Sequence, residues 1–162
     1  MKRLVRELRL GFIATVCADG TPNLSPKGTT TVWDDDHLVF AHLHSPNTVR
    51  NLVERPAIEI NVVDVFTRKG YRFKGTGEVL DSGSTYDAIM AMYRGDSSSD
   101  RLRDADQRVK AIVLVKVERA EPLVSPAYDD GSTEDEVAEQ WERHYLGLRG
   151  LGVPSREPRP GS

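Results

Sequence analysis

The apolar positions of this 162-residue chain change period several times, and each change marks an element. At the start, Leu4, Val5 and Leu8 recur at helical spacing among Lys2, Arg3, Arg6, Glu7 and Arg9. That pattern predicts a short amphipathic helix over residues 1–10, ended by Gly11 and plugging one end of a barrel. Phe12-Ile13-Ala14-Thr15-Val16-Cys17 is a run of strand formers, and Asp19-Gly20 behind it signals a hairpin. The return strand is expected over residues 22–33, weakened where Pro22 and Pro26 offer no N–H and strong again from Thr29 to Trp33. Asp34-Asp35-Asp36 makes the next turn, and residues 37–43 the third strand. Ser45-Pro46 opens a helix with serine as N-cap. It carries Val49, Leu52 and Val53 on one face and stops before Pro56.

Ile58, Ile60 and Val62 alternate along a half-buried strand. Phe66-Thr67-Arg68-Lys69-Gly70 is a basic turn, and the strand after it sets Arg72 and Lys74 on one face, Tyr71 and Phe73 on the other. Residues 85–93 form a helix with Ile89, Met90 and Tyr93 as its apolar side. Ser97-Ser98-Ser99 marks the expected break in order. Residues 109–117 are nearly all apolar and predict a central strand buried on both faces. Thr133 and Glu136 form a capping box for a helix with Val137, Trp141 and Tyr145 along one stripe. Residues 1–149 read as one domain and residues 150–162 as a disordered tail. About six strands in hairpin order, with helices at the start, middle and end, give a mainly β (β+α) chain forming a small antiparallel barrel. Side chains fill such a barrel, so a ligand belongs on its outside or at a subunit seam.

Composition removes several classes. The net charge is −3 and the cations are scattered, which excludes a basic stripe for nucleic acid. The single cysteine, Cys17, forbids an intrachain disulfide and reads as a buried thiol in a reducing, cytoplasmic setting. No apolar run approaches the roughly 20 residues of a membrane span, and no signal-peptide core follows the charged start. Asp34-Asp35-Asp36 with His37 reads as a solvated turn, and no metal centre is expected.

Two polar stretches remain, 23–28 (Asn23-Leu24-Ser25-Pro26-Lys27-Gly28) and 45–48 (Ser45-Pro46-Asn47-Thr48). A proline-broken strand leaves backbone groups unpaired, and a helix start around Asn47 and Thr48 favours an anion. Together with Lys27 they suit one phosphorylated ligand, with His42 at the strand end beside them. The cations between Arg68 and Lys74 suit either a solvated edge or a phosphate clamp from a neighbouring subunit.

Residues 21–28, Phe40-Ala41-His42, residues 45–52, Arg55-Pro56 and residues 68–77, in that order and spacing, resemble the pyridoxamine 5′-phosphate oxidase-like flavoproteins over roughly residues 5–145. The resemblance implies a split β-barrel, a homodimer, and FMN in a cleft at the subunit interface. It implies that Asn23, Ser25, Pro26, Lys27 and Gly28 lie along the flavin, with Ala41 and His42 beside it. Ser45, Asn47 and Thr48 would form the phosphate-binding helix start, and Arg68, Lys69 and Arg72 basic residues near the site. Two departures set the chain apart from the oxidase itself. Residues 139–148 do not match its substrate-contacting run, and Asn47 and Thr48 replace its adjacent basic residues. The expected activity is therefore an FMN-dependent redox reaction on a small molecule with no assigned catalytic residue. A deazaflavin-dependent reductase and a non-catalytic flavin or haem binder are the alternatives.

Overall fold

The computed structural model describes residues 1–95 and 105–151. The expected order break at Ser97-Ser98-Ser99 and the tail from residue 152 onward lie outside them. The described residues form two compact units, 1–63 with 70–95 and 105–123, and 64–69 with 124–151.

The first unit is a split-barrel sheet. Among the described residues its seven strands are β1 (Gly11–Val16), β2 (Pro22–Lys27), β3 (Thr31–Val32), β4 (His37–His42), β5 (Ala57–Val63), β6 (Lys69–Leu80) and β7 (Ala111–Val124), in the order β2-β1-β5-β6-β7-β4-β3. Every pairing with a defined register is antiparallel. The helices are α1 (Lys2–Leu8), α2 (Pro46–Glu54), α3 (Ser84–Gly95), α4 (Ala105–Arg108) and, in the second unit, α5 (Glu134–Leu148).

The count is seven strands rather than about six because the return strand does not run unbroken from 22 to 33. It stops at Lys27 and resumes at Thr31, with the intervening residues tied down by side chains. The Thr29 hydroxyl accepts the Ala41 N–H at 2.9 Å, replacing a ladder bond to β4. The Thr30 hydroxyl donates to the Lys27 carbonyl at 3.0 Å. From α3, the Tyr93 hydroxyl donates to the Thr29 carbonyl at 2.9 Å. Gly11 also differs from expectation. Helix α1 ends at Arg9, in the left-handed region at φ 54°. Gly11 instead starts β1, where a Cβ would lie 2.7 Å from the buried Thr30 hydroxyl.

The Asp19-Gly20 hairpin forms as expected, with Gly20 at φ 82° and the Asp19 carboxylate accepting the Thr21 N–H and hydroxyl. Strand β4 and the first five residues of β7 are buried on both faces. Leu38, Phe40, Val113 and Val115 enter one core with Ile13, Ile60 and Phe73. Val39, Ala41 and Ile112 enter a second with Ile89, Met90 and Tyr93 of α3. This double burial holds β4 between two cores, and the candidate site sits at one of its ends.

Helix α2 buries a different face from the one its aliphatic residues suggest. Thr48, Asn51 and Leu52 point inward, while Val53 is 71% exposed. The Thr15 hydroxyl accepts from the Asn23 and Asn51 amides, each at 3.1 Å, and Asn23 also reaches the Thr48 hydroxyl at 3.3 Å. This polar clamp fastens α2 to the β1–β2 hairpin. Asn51→Ala is expected to lower stability by about 1–2 kcal/mol, because Thr15 keeps Asn23 as its other donor and is not fully orphaned. Urea denaturation measures this, and an unchanged midpoint would remove the clamp's role.

The second unit gathers the turn at 64–69 and α5. The Thr133–Glu136 capping box is formed, and Val137 is its buried residue. The Arg68 guanidinium lies 4.0 Å above the Trp141 ring, Phe66 meets Tyr145 edge-on at 5.7 Å, and the Tyr128 hydroxyl donates to the Thr67 carbonyl. No described helix is long and apolar enough to cross a membrane.

Candidate functional site

At the break in the return strand, the end of β2 faces the end of β4 across a cleft of about 280 Å³. Ser25, Pro26, Lys27 and Gly28 form one wall, and Ala41, His44 and Ser45 the other. The proline-broken strand and the helix opening named from the sequence therefore meet, because β4 carries the chain from the first to the second. Thr29 and Leu43, not singled out from the sequence, complete the lining. The strong β propensity of residues 29–31 hid the role of Thr29 as a loop tie.

Lys27 is only 7% exposed. Its Nζ meets the Ser25 hydroxyl, and no described carboxylate pairs with it. Burial pulls its pKa below the ordinary lysine value. A buried ammonium held by one hydroxyl is poorly compensated, since buried charges normally carry a paired charge.

His42 is buried beside it. Its Nδ1 accepts the Ser45 N–H at 3.2 Å and lies 3.0 Å from the Ser45 hydroxyl. Burial chiefly, and then the charges of Lys110, Lys27 and His44, hold its pKa below the usual histidine value. Four basic groups thus share one neighbourhood. Two larger hollows, of about 400 and 620 Å³, differ in this respect: one sets Lys74 among Glu59 and Glu118, the other Lys116 near Glu78. Among the described residues the smaller cleft is lined by the Lys27 ammonium and by no carboxylate, a setting whose polarity suits an anion.

The remaining residues named from the sequence have other settings. Asn23 and Thr48 spend their side chains on the clamp behind α2. Asn47 is exposed and accepts from Arg50 at 2.9 Å. Arg72 and Lys74 approach Glu59 across β5 at 3.0 and 3.5 Å, the Arg72 contact lacking hydrogen-bond alignment. In the second unit, Arg68 stacks on Trp141, and Lys69 pairs with Glu134 at 2.7 Å and lies over Tyr128. Asp34 is occupied too, accepting the Asp36 and His37 N–H groups and facing the His37 ring.

Comparison with known proteins agrees with this architecture. A family model described as pyridoxamine 5′-phosphate oxidase matches residues 1–123. The structure of HupZ from Group A Streptococcus is 33% identical, with 77% of this chain and 92% of that one covered and a TM-score of 0.65. An F420 reductase, 24% identical over 74% of this chain and 94% of that one, superposes with a TM-score of 0.55. An FMN-binding protein from Syntrophomonas wolfei subsp. wolfei, 16% identical over 76% and 86% of the two chains, superposes with a TM-score of 0.60. At these last two identities the likeness is one of fold. No curated protein matches the sequence. The matched residues, 1–123, take in the split-barrel sheet and the whole Lys27 cleft, and the chain belongs to the pyridoxamine 5′-phosphate oxidase family.

Proposed function

We propose that the chain is an FMN-dependent oxidoreductase that holds its flavin in the Lys27 cleft, at the seam of a homodimer, and acts on a small molecule. The observation that carries this reading is the buried Lys27, whose ammonium lines the cleft with a serine hydroxyl and, among the described residues, no carboxylate as its partner. An anionic group would supply the missing charge in a charge-assisted hydrogen bond. Ser25 orients the ammonium, and the first turn of α2 adds backbone donors of matching polarity. When bound, FMN supplies the hydride and electron chemistry, while the protein binds, orients and tunes it.

The dimer is supported by two features. The cleft holds about 280 Å³, at the bottom of the roughly 300–1,000 Å³ range of cofactor pockets, so walls from a second copy would enclose a flavin more fully. Beside it, Phe12, Val16 and Leu24 stand exposed with Pro22 and Pro26 on one outward face of the β1–β2 hairpin. A second copy on that face would close the cleft and cover the stripe.

The test is to purify the protein, titrate it with FMN while recording absorbance and molecular mass, and then add a nicotinamide donor. A flavin spectrum on a dimer, bleached by the donor, is the expected result. Binding without bleaching points to a non-catalytic carrier, and absence of binding overturns the reading. A deazaflavin is the second reading, favoured by Lys110 as a further cation near His42 for a longer anionic tail. Preferential uptake of that cofactor, seen as a single blue-shifted band, would select it.

A further inference from the structure

Helix α2 begins with Ser45 at its N-cap position, yet the serine does not cap the helix. A serine there ordinarily accepts the N–H of the second or third helical residue, here Asn47 or Thr48. Instead its hydroxyl lies 3.0 Å from His42 Nδ1, and its own N–H donates to that same nitrogen at 3.2 Å. The nearby side chains do not take over the task. Asn47 accepts from Arg50, and the Thr48 hydroxyl faces Asn23. Pro46, the first helical residue, has no N–H to satisfy. The amides at the tip of α2 therefore lack a side-chain cap, although the residue best suited to supply one stands in place. In the same cleft lies Lys27, nine-tenths buried, with the Ser25 hydroxyl and, among the described residues, no carboxylate as its partner.

We infer that His42 is a positioning residue for the cofactor's phosphate: it draws Ser45 away from the α2 amides and so reserves them for the ligand. This rests on the reading of the cleft as the flavin site. The chemistry requires one tautomer. A ring nitrogen that accepts a backbone N–H carries no proton, so the neutral imidazole is protonated at Nε2. Without the ring, the Ser45 hydroxyl is free to turn back onto the helix. It would then compete with the phosphate for the same donors.

The test compares full-length wild type, His42→Ala, His42→Asn and His42→Ala with Ser45→Gly, each titrated with FMN and with riboflavin, which lacks the phosphate. His42→Ala is expected to weaken FMN binding about five- to tenfold more than it weakens riboflavin binding, the effect of one competing N-cap. The added Ser45→Gly, which removes the competing hydroxyl, is expected to restore most of the FMN affinity. His42→Asn keeps an acceptor where Nδ1 stands, so it should bind FMN like wild type. It also keeps the test decisive if the alanine variant does not fold. Long-range proton–nitrogen NMR of the wild-type ring should place the proton on Nε2. Equal loss of FMN and riboflavin, no recovery in the double variant, or a proton on Nδ1 overturns the role of His42 while leaving the flavin site standing. Wild-type protein that binds neither ligand overturns the site and this role together.

Discussion

Lys27→Met is expected to weaken FMN binding by about 1.5–3 kcal/mol, roughly 10- to 150-fold, while the ligand-free protein becomes no less stable. The two halves of that expectation have one cause. In the free protein Lys27 is 7% exposed and its ammonium meets a single hydroxyl, so its lost hydration is poorly replaced. Methionine fills a similar volume without that cost. The sign with pH follows from the direction of the shift. Lys27 holds its proton less tightly folded than unfolded. The stability gained by the substitution is therefore full below the lowered folded pKa. It disappears as pH rises towards the ordinary lysine value, where the unfolded chain loses its proton as well. Fluorescence titration with FMN and urea denaturation read the two effects. Unaltered FMN affinity would remove Lys27 from the site. A clear loss of stability would show that the ammonium has a partner inside the fold.

The second large effect is expected from Leu24→Glu, which should convert a dimer into monomers and abolish tight FMN binding together. Leu24 is 67% exposed, directly opposite Ala14, and Phe12 opposite Pro26 is 41% exposed. Around a two-fold axis each copy would bury its own new carboxylate, so the unpaired charge enters the interface twice. Each such charge costs several kcal/mol, enough to dissociate a dimer of ordinary affinity. Light scattering after gel filtration gives the mass, and the same samples can be titrated with FMN. A wild-type protein that binds FMN as a monomer would refute the shared site, as would a variant that keeps the dimer mass.

How far the chain could be read without its structure depends on the range of the forces involved. Asp19-Gly20 and the capping box of Thr133 and Glu136 are local devices, satisfied within a few residues, and both form as read. The apolar run at residues 111–115 is equally direct, because a stretch with no polar face has nowhere to sit but between two layers. Helix α2 is where local reading failed. Its aliphatic residues favoured a face containing Val53, but Thr48 and Asn51 turn inward because Thr15 and Asn23, distant in sequence, wait there with matching groups. Two polar residues three apart on one face were the available signal. Ser45 was legible as an N-cap position, but not as a residue withheld from capping, since its partner His42 belongs to another element.

The sequence by itself determined the family, the antiparallel β character and the two polar stretches that flank the cleft, because periodicity, turn chemistry and motif order are written over short distances. The tertiary structure alone decided that the return strand breaks at residues 28–30, that Lys27 is buried with no carboxylate among the described residues, and that Arg68, Lys69 and Arg72 are engaged by neighbouring side chains. The physical reason is that burial and charge pairing depend on which distant residues come to share a dry space, and that is settled only when the sheet closes its layers.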